Sequence, residues 1–294
     1  MTTRLATPQK GDCPVQFTGI VVTFNEARRL HDCLNSLTFC GQLILVDLGS
    51  TDNSVEIAHE FGANIVHHSH VPIVEQAREV AADYAIHDWI ILADPDEMIP
   101  TALVAEIVAA IKEHSRAGIL SLPYRYYFRG EPIDCTFWGR ACRSNPRVIH
   151  RRRVDFPSRV HGVFRLHLGY EKIEIPESTR NSVQHYWADT YRQLFAKHWR
   201  YIKHQGQALY ETGERFGWRC TLRTTRDTLK QNLFEYEGIR GGWTGIFLSL
   251  FYTWYVFMSR LSLRRYQRSI ACESSCERGP QPSGTDRPPG EQYG

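Results

Sequence analysis

Between residues 16 and 128 the chain repeats two apolar patterns in turn. QFTGIVVTF (16–24), LILVDL (43–48), ANIVHH (63–68), WIILAD (89–94) and GILSLPYRYYF (118–128) are short apolar runs rich in β-branched or aromatic residues, and predict strands. Between them, EARRLHDCLNSL (26–37) spaces Leu30, Cys33, Leu34 and Leu37 by threes and fours, which predicts a helix. GSTDNSVEIAHEFG (49–62) reads as a turn and a helix stopping at Gly62, and VEQAREVAADYA (74–85) and TALVAEIVAAIKEH (101–114) read as further helices. Strands alternating with helices predict right-handed βαβ units and a mostly parallel sheet, an α/β fold.

The polar residues that interrupt this pattern fall at strand ends. Thr23-Phe24-Asn25-Glu26, Asp47-Leu48-Gly49-Ser50-Thr51-Asp52 and Asp94-Pro95-Asp96-Glu97 each follow a predicted strand. Open α/β sheets bind ligands beyond the carboxyl ends of their strands, so three motifs distant in sequence are expected to converge on one edge. Like charges as close as Asp94, Asp96 and Glu97 need a cation or a cationic ligand to offset their repulsion. Oxygen ligands of that kind suit Mg²⁺ or Mn²⁺, which would neutralise a diphosphate leaving group. Ser50, Thr51 and Asp52 offer either an anion site at a helix start or simple helix capping.

Residues 129–165 read as irregular and basic, with eight arginines from Arg140 to Arg165; they form either a solvated face or a clamp on phosphates. Residues 186–215 read as a long helix mixing Tyr, Trp, Arg and Lys. The stretch GGWTGIFLSLFYTWYVFMS (241–259) carries no charge over 19 residues and is flanked by Arg240 and Arg260. With its Trp and Tyr residues it predicts a helix lying in or dipping into a membrane, with a full span or a buried core helix as alternatives. The expected layout is a flexible leader (1–15), one α/β domain (16–185), a helical region (186–270) and a disordered, Pro- and Gly-rich tail (271–294).

Composition narrows the function. A chain of 294 residues, 42% hydrophobic, can bury one large core with an appendage. A net charge of +3 does not by itself imply nucleic acid as a partner. The eight cysteines form no CxxC pair and no zinc spacing, and the start has no apolar signal core, so reduced thiols and a cytoplasmic location are expected.

TFNE (23–26), VDLGSTDNS (46–54) and DWIILADPDE (88–97) together resemble the family 2 glycosyltransferases, which have the GT-A fold. The resemblance is specific over residues 16–100, the nucleotide-sugar half, leaving 101–185 as the acceptor half. It extends more weakly to HYW (185–187), KHWRY (197–201) and the 241–259 stretch, as in the β-1,4-glucosyltransferases of the lipopolysaccharide core. The resemblance implies an inverting, metal-dependent, non-processive transfer of a hexose from a nucleotide-diphosphate sugar, UDP-linked by expectation. The implied acceptor is a lipid-linked or lipopolysaccharide-type glycan, met at the inner face of the cytoplasmic membrane.

Carried over by position, Thr23, Asn25, Glu26, Asp47, Asp52, Arg78 and Asp94 would bind the donor. Asp96 and His185 would hold Mn²⁺ or Mg²⁺. Where many relatives carry a second acid after Asp47 this chain has Leu48; FWGRACRSNPRVIH lacks an aspartate of the related branch, and Val160-His161-Gly162 replaces Val-His-Glu. The remaining candidates for the general base are Glu97, Asp134, Asp155 and His161, with Glu97 and His161 favoured. Rival readings are a sugar-phosphate nucleotidyltransferase and an inactive glycan-binding scaffold of the same fold.

Overall fold

A computed structural model of the chain describes residues 14–69, 74–141, 143–156, 164–177 and 181–276. The first half follows the apolar pattern. Strands β1 (Phe17–Thr23), β2 (Gln42–Asp47), β3 (Asn64–His67) and β4 (Trp89–Ala93) pair in parallel in the order β3-β2-β1-β4. Helices α1 (Ala27–Ser36), α2 (Ser54–Glu60) and α3 (Val74–Asp83) connect them. Alternation along β1 sends Phe17 and Val21 to one face, against Leu30 and Leu34 of α1. Ile20 and Val22 go to the other, against Ala77 and Ala81 of α3. Each such large apolar side chain contributes about 1.5–3 kcal/mol on full burial, and only a layer on each face buries both sets.

The second half departs from a parallel sheet. β5 (Glu97–Met98) leads into α4 (Thr101–Glu113), whose Leu103, Val104 and Ile107 join the α1 side of the core. β6 (Ala117–Phe128) is long enough to change partners midway. Its first part lies between antiparallel β8 (Ser144–His150) and parallel β11 (Glu171–Glu174). Its second part pairs with parallel β12 (Val183–Ala188) and with the two-residue β7 (Glu131–Pro132). β12 in turn pairs antiparallel with β5, and β9 (Val154–Asp155) and β10 (Arg165–Leu166) form a separate small ribbon. The sheet is therefore mixed.

The described residues of 129–165 are not irregular as the sequence reading has them. They supply β7, a short α5 (Phe137–Ala141), β9 and, in β8, a strand at the centre of the sheet between β4 and β6. Pro146 and the arginines around it hid β8; the proline sits at a register shift in the β6–β8 pairing, where a missing N–H is tolerated. Residues 186–188 likewise belong to β12 and not to a helix. α6 (Tyr191–Glu211) starts after Thr190, whose hydroxyl accepts from the Gln193 N–H while Gln193 bonds back.

α7 (Trp218–Lys230), a π-helical turn (Gln231–Glu235) and α8 (Gly242–Cys276) complete the described chain. The helix predicted over 241–259 is thus part of a longer one that includes residues 271–276, the start of the expected tail. α8 lies along α6: Leu248, Phe251 and Leu263 are buried, and Phe195 of α6 meets Phe251 edge-on at 4.9 Å. A Cβ at Gly206 of α6 would lie 2.5 Å from the Ser262 backbone, so glycine permits this approach. Among the described residues, Gly242–Ala271 is the one helix long and apolar enough to cross a membrane, and 39% of its apolar window is buried within the protein.

Candidate active site

The strand order reverses direction between β1 and β4, so the crevice for a ligand opens at their carboxyl ends. The loop after β1 is laced to the loop after β2. Asn25 adopts φ 56°, a left-handed conformation that asparagine tolerates. Its Oδ1 accepts from the Thr51 N–H at 2.7 Å and its N–H donates to Ser50 Oγ at 3.0 Å. Glu26 N–H donates to Ser54 Oγ, and Ala27 N–H to Asp52 Oδ2 at 3.0 Å. Asp47, nearly fully buried, accepts from the Ser50 N–H at 2.9 Å, and His67 Nδ1 lies 3.4 Å from it.

Asp52 also accepts from the N–H and hydroxyl of Ser54. Burial pushes its carboxyl up, but the Ser54 hydroxyl and the Ala27 and Ser54 N–H groups outweigh this and hold it below the usual range. The N–H groups of Ser50, Thr51 and Ser54 are thus taken up by Asp47, Asn25 and Asp52, which brace the loop, while the N-cap residue of α2, Asn53, makes no side-chain cap hydrogen bond. Thr23, at the end of β1, is buried and its hydroxyl has no hydrogen-bond partner.

The acids after β4 occupy three different settings. Asp94 receives Arg78 from α3 on Oδ1 and Arg147 from β8 on Oδ2, the latter at 2.9 Å. Burial alone would raise Asp94; the two guanidiniums reverse it and keep the carboxylate ionised far below its ordinary pKa. Glu97 is 1% exposed. Its Oε1 accepts from Arg147 at 2.6 Å and its Oε2 from the Asp94 N–H at 3.1 Å. Burial raises Glu97, with Arg147 pulling it back and Asp94 adding to the rise. Arg147 also donates through Nε to the buried Tyr124 hydroxyl, so one guanidinium ties β4, β5 and β6 together.

Asp96 faces the other way. Its Oδ2 lies 3.3 Å from His185 Nε2 and 3.6 Å from Lys197 Nζ of α6. Burial pushes Asp96 up, but His185 and Lys197 hold it below its usual value. Burial pushes His185 down, and Asp96 and Glu97 bring it above the ordinary value. The imidazole stacks on Tyr126 at 4.8 Å, and neither ring nitrogen makes a hydrogen bond. Glu26 is raised first by burial and then by Asp96, which brings the β1 loop to the same cluster.

Of the residues singled out from sequence, Arg78, Asp94, Asp96, Glu97, His185 and Glu26 therefore converge, while Asn25, Asp47 and Asp52 build the adjoining loop frame. Glu97 is closed to solvent and both its oxygens are engaged. Asp134 pairs with Arg125, and Asp155 with His167, each away from the acid cluster's bonding network. His161 lies outside the described residues. Sequence reasoning missed Tyr124 and Lys197, and had Arg147 only as one of the arginines of a solvated face or phosphate clamp, where the structure turns it onto Asp94 and Glu97. The Val148-Ile149 pair after Arg147 was the one cue to a strand there, and HYW…KHWRY held Lys197 without marking it.

Among the described residues there is no group of three or more His, Cys, Asp or Glu placed to chelate a metal. Asp96 and His185 nevertheless fit two positions of a divalent cation's shell: a carboxylate oxygen and a buried imidazole nitrogen 3.3 Å apart. The remaining ligands would come from a bound phosphate group and water.

Residues 18–156 match the model of the Glycosyl transferase family 2. An uncharacterised glycosyltransferase of Rickettsia felis is 30% identical over 107 residues, covering 36% of this chain and 38% of that protein. A PGL/p-HBAD biosynthesis glycosyltransferase of Mycobacterium bovis is 32% identical over 114 residues, covering 35% and 44%. The chain thus spans less than half the length of either relative. Among solved structures, S. aureus TarS (residues 1–349) in complex with UDP-GlcNAc overlaps 38% of this chain and 35% of that one, with 23% identity and a TM-score of 0.35. Over residues 18–156, where the convergent acids of β4 lie, the chain is similar to the family 2 glycosyltransferases.

Proposed function

We propose that the protein is a glycosyltransferase that moves a hexose from a nucleotide-diphosphate sugar, UDP-linked, to a lipid-linked or lipopolysaccharide-type glycan. The observation that carries this reading is the split setting of Asp94 and Asp96. Asp94 is locked as an anion by Arg78 and Arg147 and suits sugar or ribose hydroxyls, while Asp96 stands beside His185 with room in its shell for a cation. The match of residues 18–156 to the family model supports the same reaction class.

When bound, Mn²⁺ or Mg²⁺ held by Asp96 and His185 would neutralise charge on the leaving diphosphate. Lys197, whose amine is held protonated by Asp96 against the effect of burial, is poised to bind the same phosphates from α6. The acceptor oxygen attacks the anomeric carbon, the bond from that carbon to the phosphate oxygen breaks, and the electron pair leaves with the diphosphate; the anomeric centre inverts. The acceptor's proton passes to a general base. Glu97 is better suited to positioning Asp94 than to this role, because Arg147 and the Asp94 N–H occupy it. His161 remains the base to test.

The test is nucleoside diphosphate release from UDP-, GDP- and dTDP-sugars with Mn²⁺, Mg²⁺ or EDTA, comparing the parent with Asp96→Ala. Release from one donor, lost with EDTA and with the substitution, is expected. Pyrophosphate release from a nucleoside triphosphate and a sugar phosphate would establish the nucleotidyltransferase instead. Silence with every donor, together with no donor-induced rise in melting temperature, would leave a scaffold.

A further inference from the structure

The apolar stretch 241–259 is less free to enter a bilayer than its composition promises. Its inner face is occupied by α6, and the same helix carries Arg260, whose side chain is buried and bonded to Glu214 and to Cys220 Sγ. Spanning a membrane would strip α8 from α6 and break the bonds this arginine makes to Glu214 and Cys220. The surface that remains open lies elsewhere.

α7 carries Arg219, Arg223, Arg226 and Lys230 at spacings of four, three and four, which places them in one stripe on the helix, and all four are exposed. Beside that stripe, Trp218 and Leu222 are 49% and 59% exposed. After the π-helical turn come Phe234 and Ile239, both exposed, and Trp243, at 87% exposure, in the first turn of α8. Single exposed apolar residues are ordinary, but here five large ones fall between 218 and 243, on and just after the helix that carries the basic stripe. The segment 215–243 holds six Arg or Lys against three acids, an excess as large as that of the whole chain. Asp227 bonds Arg226, and Glu237 bonds Arg140 and Arg240, so the stripe itself keeps its charge at Arg219, Arg223 and Lys230.

We infer that the outer side of this α7 hairpin is a docking surface for an anionic lipid bilayer. Charge complementarity selects the occupant: the cations would meet lipid phosphates, while Trp218, Leu222 and Trp243 would sink to headgroup depth. The inference deepens the reading of a lipid-linked acceptor, and rests on it for its purpose but not for its test. It moves the membrane contact from 241–259 to 218–243.

Co-sedimentation of the full chain with vesicles of phosphatidylcholine, with and without phosphatidylglycerol, tests it. Binding is expected with phosphatidylglycerol, falling as salt rises. R219Q/R223Q, which removes the two arginines free of an acid partner, is expected to weaken partition about thirtyfold. W218S/L222S is expected to reduce binding with the melting temperature checked in parallel, and nucleoside diphosphate release in solution is expected to persist in the arginine variant. A parent chain that stays in the supernatant with anionic vesicles overturns the inference. So does an arginine variant that binds like the parent, or binding lost in L250S on α8 but kept in both α7 variants. Vesicle binding without any donor turnover would defeat the transferase reading and leave this surface standing.

Discussion

Arg147 of β8 lies 2.6 Å from Glu97 of β5, and Glu97 in turn accepts the Asp94 N–H. The pair orients the acid turn from beneath, at a position where Glu97 is closed to water. Removing Arg147 leaves Glu97 buried with only the Asp94 N–H and His185 Nδ1, 3.6 Å away, to offset it, and leaves the Tyr124 hydroxyl without its guanidinium. Arg147→Met is therefore expected to cost about 3–5 kcal/mol in urea unfolding at pH 7. Arg147→Met combined with Glu97→Gln is expected to recover a large part of that loss. A single variant as stable as the parent would show that the pair does not hold the turn.

Asp96 and His185 provide two protein ligands, too few to retain a hard cation well without phosphate oxygens. Mn²⁺ alone is expected to leave the melting temperature nearly unchanged, and Mn²⁺ with UDP to raise it. His185→Ala is expected to abolish the metal-dependent part of that rise. An equal rise with Mn²⁺ alone would argue for a cage beyond these two residues.

His198 of α6 sits among the rings of Trp138, Trp187, Tyr201, Phe251 and Tyr255, 4.8–6.1 Å away, and its Nδ1–H donates to the Leu194 carbonyl at 2.8 Å. Burial lowers its pKa to about 4, the Leu194 bond opposing and Lys197 adding to the shift. The unfolded chain takes up this proton near pH 6.5, the folded chain only near 4. The histidine's contribution is therefore intact above about pH 6.5 and falls by roughly 3 kcal/mol as the pH drops toward 4. His198→Phe is expected to remove that share of the acid sensitivity, read as a flatter dependence of urea midpoint on pH between 6.5 and 4.

The α6–α8 crossing depends on the absence of a side chain at Gly206, where a Cβ would meet Ser262 backbone at 2.5 Å. Gly206→Ala favours the helix locally by about 1 kcal/mol. It is nevertheless expected to lose stability by about 1–3 kcal/mol through overpacking, and to expose α8 to limited proteolysis. Unchanged protease resistance would mean that the helices pack with more slack than the geometry indicates.

The βαβ half was legible because each of its strands is a short apolar run and each helix has its own apolar spacing. Local pattern and final environment agree there: Phe17, Val21, Leu30 and Leu34 are both periodic and buried together. β8 was not legible. Pro146 and the surrounding arginines argue against a central strand; pairing with β4 and β6, burial of Val148 and Ile149, and the acids opposite Arg147 hold it there.

The sequence by itself determined that acidic motifs would end β2 and β4, because buried parallel strands must stop where charge begins, and that these ends would face one crevice. It also marked the apolar length of α8. Tertiary structure alone decided which charges compensate which. Arg147 and Lys197 reach the acids from β8 and α6, fifty or more residues away, and ion pairing is fixed by distance in space rather than spacing along the chain. It also decided that the apolar face of α8 is covered by α6 while the arginines and tryptophans of 218–243 stay outside, since burial depends on what packs against a helix and not on the helix's own composition.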